Sequence, residues 1–426
     1  MIQVSQYAMK HVVFVTWKPG NAPAFAAAKR LGHHVTLIRS LEMERLQGLD
    51  FETSPYGASV DEVHCLQDAS DLDVLRVCVG RIHAARPIAG FIASTDAFVV
   101  PVAQVAAELG IPFTDAAAAR TAKQKSCCRD ALAAAGVEDT AHAVVKDLDE
   151  ALGFADVAGY PLVLKPEMAS ASEGAFVLED EAALREVMSG IAEHADLYRH
   201  GVLLEEYLRG TFLSAEIGLS RGRVLRLAVS ERKTWDKHEP LEIGTTIPAA
   251  ISDEQYEAVM DFAERVIKAV DLKLGIFHVE VMLGADGVPR LIELNPRVMG
   301  SCLPNLFCLA TDIDFFELLV RVYLDEELEL GPIKFTSYAT VQWFGAANRE
   351  PTPSEIPDLG WAEEYRPAVQ SLHLAFPDTP MLEPHRGNLG AFGEVQVRHT
   401  DYKASITIAA HIVDRVASQL GMEVTR

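Results

Sequence analysis

The six cysteines (Cys65, Cys78, Cys127, Cys128, Cys302 and Cys308) include no CxxC pair, and the adjacent Cys127 and Cys128 cannot form a zinc knuckle. A disulfide-stapled or zinc-organised scaffold is therefore excluded, and the thiols read as reduced and mostly buried. Basic charge is also scarce. Thirty-eight Lys and Arg stand against 61 Asp and Glu, a net charge of −23, and a surface so acidic repels phosphate backbones and anionic lipid. Nucleic acid and membranes are thus not expected as partners. A nucleotide survives that exclusion, because a few cleft lysines and a divalent cation can hold a polyphosphate whatever the net charge.

Long apolar runs are missing too. FIASTDAFVVPVAQVAAELG is broken by Asp96, Pro101 and Glu108, and MIQVSQYAMKHVVFV offers only a short apolar run after Lys10. Neither a membrane span nor a secretory leader is expected, and the chain reads as cytoplasmic. The first strand leads into TWKPGN and not into GxGxxG, so the dinucleotide fingerprint is absent. There is also no GxSxG elbow to support a serine hydrolase.

What is present suffices for several cores. The chain has 426 residues, 49% hydrophobic and 23% charged, a composition of folded domains rather than disorder. Residues 1–115 alternate short apolar runs with helical patterns (HVVFVT, AFAAAKRLG, HVTLI, GFIAST), as a parallel α/β domain does. A connecting helix over 116–136 follows, ending at Gly136. Residues 137–207 read as a compact α+β unit of strand, helix, strand, Gly/Ser loop, strand, helix and strand. Residues 208–331 hold two hairpins, LSAEIGL with RVLRLAV and FHVEVML with VPRLIELN, separated by a helix over Asp253–Val270 capped by Ser252. Beyond Gly331 the prolines at 351, 353, 357, 367, 377, 380 and 384 break 332–426 into short strands before a last helix near Ala409–Leu420, as in an accessory region.

The hairpin Phe277–Asn295 carries the most chemistry. Alternation puts Val279, Val281 and Leu283 on one face and His278 and Glu280 on the other, with Ile292 and Leu294 opposing Glu293 and Asn295. If Gly284 meets Gly287 across the turn, Glu280 lies opposite Leu291 and diagonal to Glu293, at ~7–8 Å. Two carboxylates and an amide on one face suit an oxygen-loving cation such as Mg²⁺; the plainer reading is a solvated polar face. Asn295-Pro296-Arg297 then ends the strand, holding an arginine fork that can meet a carboxylate or a phosphoryl group. Lys165 closes the apolar strand GYPLVLKP, and the small residues Ala169 to Gly174 can lay backbone N–H groups on phosphates. Lys125 opens a further face toward that cleft, and the Val202–Leu208 connector can offer backbone groups to a flat base. His278 packs against or orients Glu280. His238 is either a substrate contact or a structural histidine.

Lys125, GYPLVLKP, the Ser/Gly loop, LLEEYLRG, HVEVML and LIELNPRVMGS, in that order and spacing from about residue 10 to about 330, resemble the ATP-grasp superfamily. The branch is that of carboxylate–amine ligases, including the L-amino acid ligases that make dipeptides. The resemblance implies a mixed α/β and α+β architecture: a Rossmann-like N-terminal domain, two α+β subdomains sandwiching ATP, and a C-terminal accessory region. It implies that Lys125 and Lys165 contact the phosphates, that Ser172, Glu173 and Gly174 belong to a mobile loop over them, and that Glu205, Glu206, Tyr207 and Leu208 meet the adenine. Glu280, Glu293 and Asn295 would hold Mg²⁺, or Mn²⁺ in its place. Arg297 would steady an acyl phosphate, and Arg232, Lys233, His238, Gly300 and Ser301 would border the substrate pocket. One departure stands out: Phe212 occupies the place of the family acid that bonds the ribose, and Glu216 on the same strand is the expected substitute. The reaction implied is amide formation between a small carboxylate and an amine, releasing ADP and phosphate, in a setting such as antibiotic biosynthesis. An ATP-grasp carboxylase using bicarbonate and a nucleotide-binding protein without turnover are the alternatives, and a homodimer is a family expectation.

Overall fold

The computed structural model of the protein describes residues 9–16, 22–46, 57–168, 173–235, 238–387 and 390–426. It begins with β1 (His11–Val15), α1 (Ala22–Arg30), β2 (His34–Ser40), α2 (Leu41–Leu46), β3 (Glu62–Leu66), α3 (Leu72–Ala85), β4 (Gly90–Ala93) and α4 (Asp96–Leu109). The four strands form a parallel sheet in the order β3-β2-β1-β4. β1 is buried at every residue, as a strand covered on both faces must be: Val12 and Phe14 join one core, Val13 and Val15 another. The sheet leaves β4 and the start of α4 where connections diverge, and Asp96 sits at that point.

The connecting helix expected over 116–136 is two helices, α5 (Ala116–Lys123) and α6 (Lys125–Ala134), broken at Gln124 in an extended conformation. The break lets two nearby lysines bury in different company. Lys123 Nζ lies 3.4 Å from Asp96, and Lys125 Nζ lies 3.3 Å from Glu293.

A second sheet is built from β5 (His142–Val145), β6 (Leu162–Pro166), β7 (Phe176–Leu178) and β8 (Val202–Glu206), antiparallel in the order β5-β8-β6-β7. The helices α7 (Leu148–Ala158) and α8 (Glu181–Gly190) pack against it through Ala151, Ala155 and Leu184. Asp147 and Asp180 cap these helices by accepting backbone N–H bonds.

The third sheet contains β9 (Thr211–Ser220), β10 (Arg223–Trp235), β11 (His238–Ile247), β12 (Gly275–Leu283) and β13 (Pro289–Asn295). The β9–β10 hairpin turns at Arg221 and Gly222, both at positive φ. Between β11 and β12 runs α9 (Asp253–Val270), whose Ser252–Gln255 capping box is complete and whose apolar face, led by Val259, Phe262 and Val266, packs on Leu213, Ile217 and Val279. On the opposite side α10 (Leu303–Ala310) and α11 (Phe315–Tyr323) join this sheet to the N-terminal domain.

The sheet does not stop at Gly331. β14 (Tyr338–Phe344) pairs with β11, and after β15 (Glu350–Pro351) the strands β16 (Val369–Leu374), β17 (Met381–Leu382) and β18 (Gly393–His399) follow. The eight-stranded order is β13-β12-β9-β10-β11-β14-β18-β16, with β15 and β17 as a separate ribbon. The last helix, α12 (Tyr402–Leu420), is a turn and more longer at its start than the sequence suggested, and covers β14 and β18. Among the described residues no helix is long and apolar enough to cross a membrane.

Candidate nucleotide and metal cleft

The β12–β13 hairpin differs from its expected register in a way that improves the site. The turn adds one residue, with Gly287 at φ 76° and Leu283 opposite Pro289. A bulge at Ile292 adds a second, so Val281 pairs with Leu291 but Glu280 pairs directly with Glu293. The carboxylates are therefore cross-strand partners and not diagonal neighbours. Ile292, expected on the core face, lines the cleft beside Glu293, while Leu291 and Leu294 stay in the core under α9.

That cleft, about 630 Å³, lies between the hairpin and the β5–β8 sheet. Lys125, Lys165, Glu173, the run Glu205–Phe212, Arg232, Glu280 and Glu293 all line it. The two lysines are held by different acids: Lys125 by Glu293, and Lys165 by Glu205 at 2.5 Å. Glu167, at the end of β6, accepts the backbone N–H of Ser126 at 3.0 Å and thereby ties the two lysine-bearing segments together.

Glu205 was expected to meet a base. It and its neighbours do line the cleft, but its side chain is 4% exposed and its carboxylate sits between Lys165 and Arg129 Nε, the latter at 2.8 Å. Burial opposes ionisation there, yet Arg129 and Lys165 together hold Glu205 down at about 2. A carboxylate depressed from its unfolded value near 4.5 adds stability above that value and loses it as pH falls toward about 2. The expected outcome is a melting temperature that falls through that acidic window in the parent protein and falls less steeply in Glu205→Gln. Parallel curves would remove the assignment. Glu206 accepts the N–H of Ala141 at 3.2 Å.

Glu173 is exposed at the cleft rim. Gly174, at φ 70°, gives its carbonyl to the Tyr198 hydroxyl at 2.7 Å, and a Cβ there would come within 2.6 Å of Leu197. Glycine is thus required at that corner. Ser172 lies outside the described residues, as does the side chain of His238.

Glu216 does not substitute for a ribose acid. It is fully buried opposite His278, which donates from Nδ1 to Glu216 Oε1 at 2.5 Å, and it does not line the cleft. Burial disfavours a charged His278, but the Glu216 carboxylate holds its pKa up at about 9. Nε2 of the same ring lies 3.3 Å from Glu280 Oε1, so the histidine orients Glu280 as the sequence suggested. Phe212 faces the cleft with the Arg232 guanidinium 5.4 Å from its ring centre. Arg232 in turn binds Glu242 and lies 3.6 Å from Glu280. Burial again opposes ionisation of Glu280, and Arg232 and His278 bring it down to about 2.

Four expected substrate contacts, Lys233, Arg297, Gly300 and Ser301, do not line the cleft. Lys233 is exposed and does not line the cleft, since β10 turns Arg232 and Thr234 inward. Arg297 donates from Nε and Nη2 to Asp96 at 2.7 and 2.6 Å, and from Nη2 to Asn295 Oδ1 at 3.3 Å. Its guanidinium is therefore pinned by the N-terminal domain, near Glu280 and Glu293, and does not line the cleft. Gly300 is not needed for close approach: a Cβ there would meet only Arg297 Nη1, at 3.8 Å, and the positive φ falls on Ser301 instead.

Glu280, Glu293 and Asn295 offer oxygen donors alone, the chemistry of Mg²⁺ or Mn²⁺ rather than zinc. Among the described residues no cluster of three or more His, Cys, Asp or Glu could hold a metal by itself. The donor set fits a hard cation that completes its shell with polyphosphate oxygens and water. Asn295 is the weakest member, because its oxygen already accepts from Arg297.

Sequence reasoning missed Arg129, Glu138, Asp96 and Glu242. Arg129 had a signal: four residues beyond Lys125, it shares that lysine's helix face. Asp96, interrupting an apolar run, had another. Glu138 is made important by a distant segment, the Leu291 amide, and Glu242 by Arg232 across the β10–β11 hairpin.

Residues 25–113 match the ATP-grasp N-terminal domain and residues 158–305 the ATP-grasp domain. The chain is 28% identical over 297 residues to carnosine synthase 1 of Gallus gallus, covering 65% of this chain and 31% of that protein. It is 22% identical over 239 residues to the alanine–anticapsin ligase of Bacillus subtilis, covering 50% and 49%. It thus spans less than two thirds of these relatives. In structure it is similar to an L-amino acid ligase from Bacillus licheniformis, with a TM-score of 0.79, 19% identity, and 96% and 98% of the two chains covered.

Proposed function

From the premise that this chain belongs to the ATP-grasp superfamily, we propose that it is an ATP-dependent carboxylate–amine ligase. One observation carries the reading. Glu280 and Glu293 face each other across an antiparallel ribbon, in a cleft whose other wall presents Lys165 and whose floor presents Lys125. The names of the relatives, a carnosine synthase and an alanine–anticapsin ligase, support amino acids or small carboxylic acids as substrates.

The reaction has two steps. A carboxylate oxygen of the acid attacks the terminal phosphorus of ATP and ADP leaves; the amine then attacks the acyl carbon and phosphate leaves, forming the amide. Lys125 and Lys165 leave their carboxylate partners to meet phosphate oxygens, offsetting charge on the transferring group. The Glu205–Leu208 segment offers backbone groups to the base. Arg297, held by Asp96 beside the carboxylate pair, stabilises the acyl phosphate by its field. Glu173, exposed at the rim of the cleft, borders the phosphate site. A bound Mg²⁺ or Mn²⁺ supplies neutralising charge to the polyphosphate.

The test is a phosphate-release screen of paired amino acids and dicarboxylates, with mass spectrometry of the products. ADP release is expected only when an acid and an amine are both present, together with the mass of their amide. ATP turnover on bicarbonate alone would overturn the ligase reading in favour of a carboxylase.

A further inference from the structure

Glu138 lies just past the turn that follows α6 and does not line the cleft, yet its side chain is only 6% exposed and both of its oxygens are committed. Oε1 accepts from Arg129 Nη1, and Oε2 accepts the backbone N–H of Leu291 at 2.8 Å. Leu291 is the residue before the β13 bulge.

β13 is the edge strand of the large sheet. On such an edge one residue turns its N–H and C=O outward and the next turns both inward. The bulge breaks this alternation. The N–H of Leu291 and the C=O of Ile292 are both taken up by groups outside the ladder, the first by Glu138 and the second by Lys165 Nζ at 3.4 Å. From Leu291 the contacts run through Glu138, Arg129, Glu205 and Lys165 back to Ile292, a closed ring that begins and ends at the bulge.

The bulge decides which face Glu293 occupies. Continued without it, the Val281–Leu291 register would set Ile292 opposite Glu280 and turn Glu293 to the face of Val279, into the core under α9. We propose that Glu138 is a positioning residue for the carboxylate pair: by holding the Leu291 N–H it maintains the bulge that keeps Glu293 beside Glu280. This rests on the ligase reading, because it ties Glu138 to the cation-binding geometry.

The test is Mn²⁺ binding, followed by electron paramagnetic resonance with excess ADP, in the parent protein, Glu138→Ala and Glu138→Gln. Alanine is expected to weaken Mn²⁺ about tenfold, the usual order for a lost outer-shell partner, and to speed hydrogen exchange at the Leu291 amide. Glutamine keeps an acceptor for that amide and should recover most of the affinity. A merely stabilising residue would lower the melting temperature without changing the affinity of the folded protein. Parental Mn²⁺ affinity in folded Glu138→Ala, or glutamine as weak as alanine, overturns the proposal. If alanine does not fold, Glu138→Asp carries the same expectation, being one methylene too short to span Arg129 and Leu291. A parent protein that binds no Mn²⁺ with ADP overturns the ligase reading itself, and the inference with it.

Discussion

Glu293→Ala is expected to lower turnover on the order of 10³-fold while the far-ultraviolet circular dichroism spectrum stays that of the parent. The carboxylate stands in the cleft wall and outside the apolar core under α9, so its removal costs charge balance rather than core. Its loss has two local effects. Glu280 keeps its ionised state through Arg232 and His278 but has no partner across the ribbon, and Lys125, only 8% exposed, loses the acid that holds it. Loss of that ion pair costs about 1–3 kcal/mol, so a drop of a few degrees in melting temperature accompanies the loss of activity. If the two carboxylates act as a unit, Glu280→Ala and the double variant should be impaired to nearly the same extent. Parental turnover in Glu293→Ala would remove the assignment of the pair.

Arg129→Leu is expected to destabilise the protein by about 3–5 kcal/mol, read from the urea midpoint. The guanidinium is 3% exposed and bonded to Glu138 and Glu205, themselves 6% and 4% exposed at the side chain. Removing it leaves two buried carboxylates facing each other with only Lys165 to offset one of them. Replacing the ring members together with apolar residues should recover much of the loss, because the desolvation of the ions disappears with them. A loss below about 1 kcal/mol for the single change would mean that water reaches this cluster.

The parallel N-terminal sheet, the capped helix Asp253–Val270 and both hairpins were legible because each is a local pattern: periods of two or of 3.6, a Ser-x-x-Gln box, a DG turn. The cleft lysines and carboxylates were legible from local pattern as well: Lys165 falls near the end of an apolar strand, Lys125 opens α6, and Glu280 and Glu293 alternate with apolar neighbours. Register was not. Two single-residue shifts, one at Gly287 and one at Ile292, separate the expected pairing of Glu280 with Leu291 from the observed pairing with Glu293, and the second has no marker in the sequence. What a side chain binds was also hidden where the partner is remote: Glu216 looked like an open acid until His278 proved to lie across from it, and Arg297 looked available until Asp96 of another domain proved to hold it. The helix break at Gln124 likewise follows from where Lys123 and Lys125 find acids, not from a proline or glycine.

The continuity of the eight-stranded sheet has a consequence for biogenesis. On the ribosome, β11 emerges well before β14, the strand that completes its hydrogen bonding, so a nascent chain carries an open ladder edge until residues 338–344 have been made. The Glu280–Glu293 ribbon, at the far end of that sheet, matures on a platform whose last strands arrive late, and chaperone demand during synthesis should centre on the interval between those two strands.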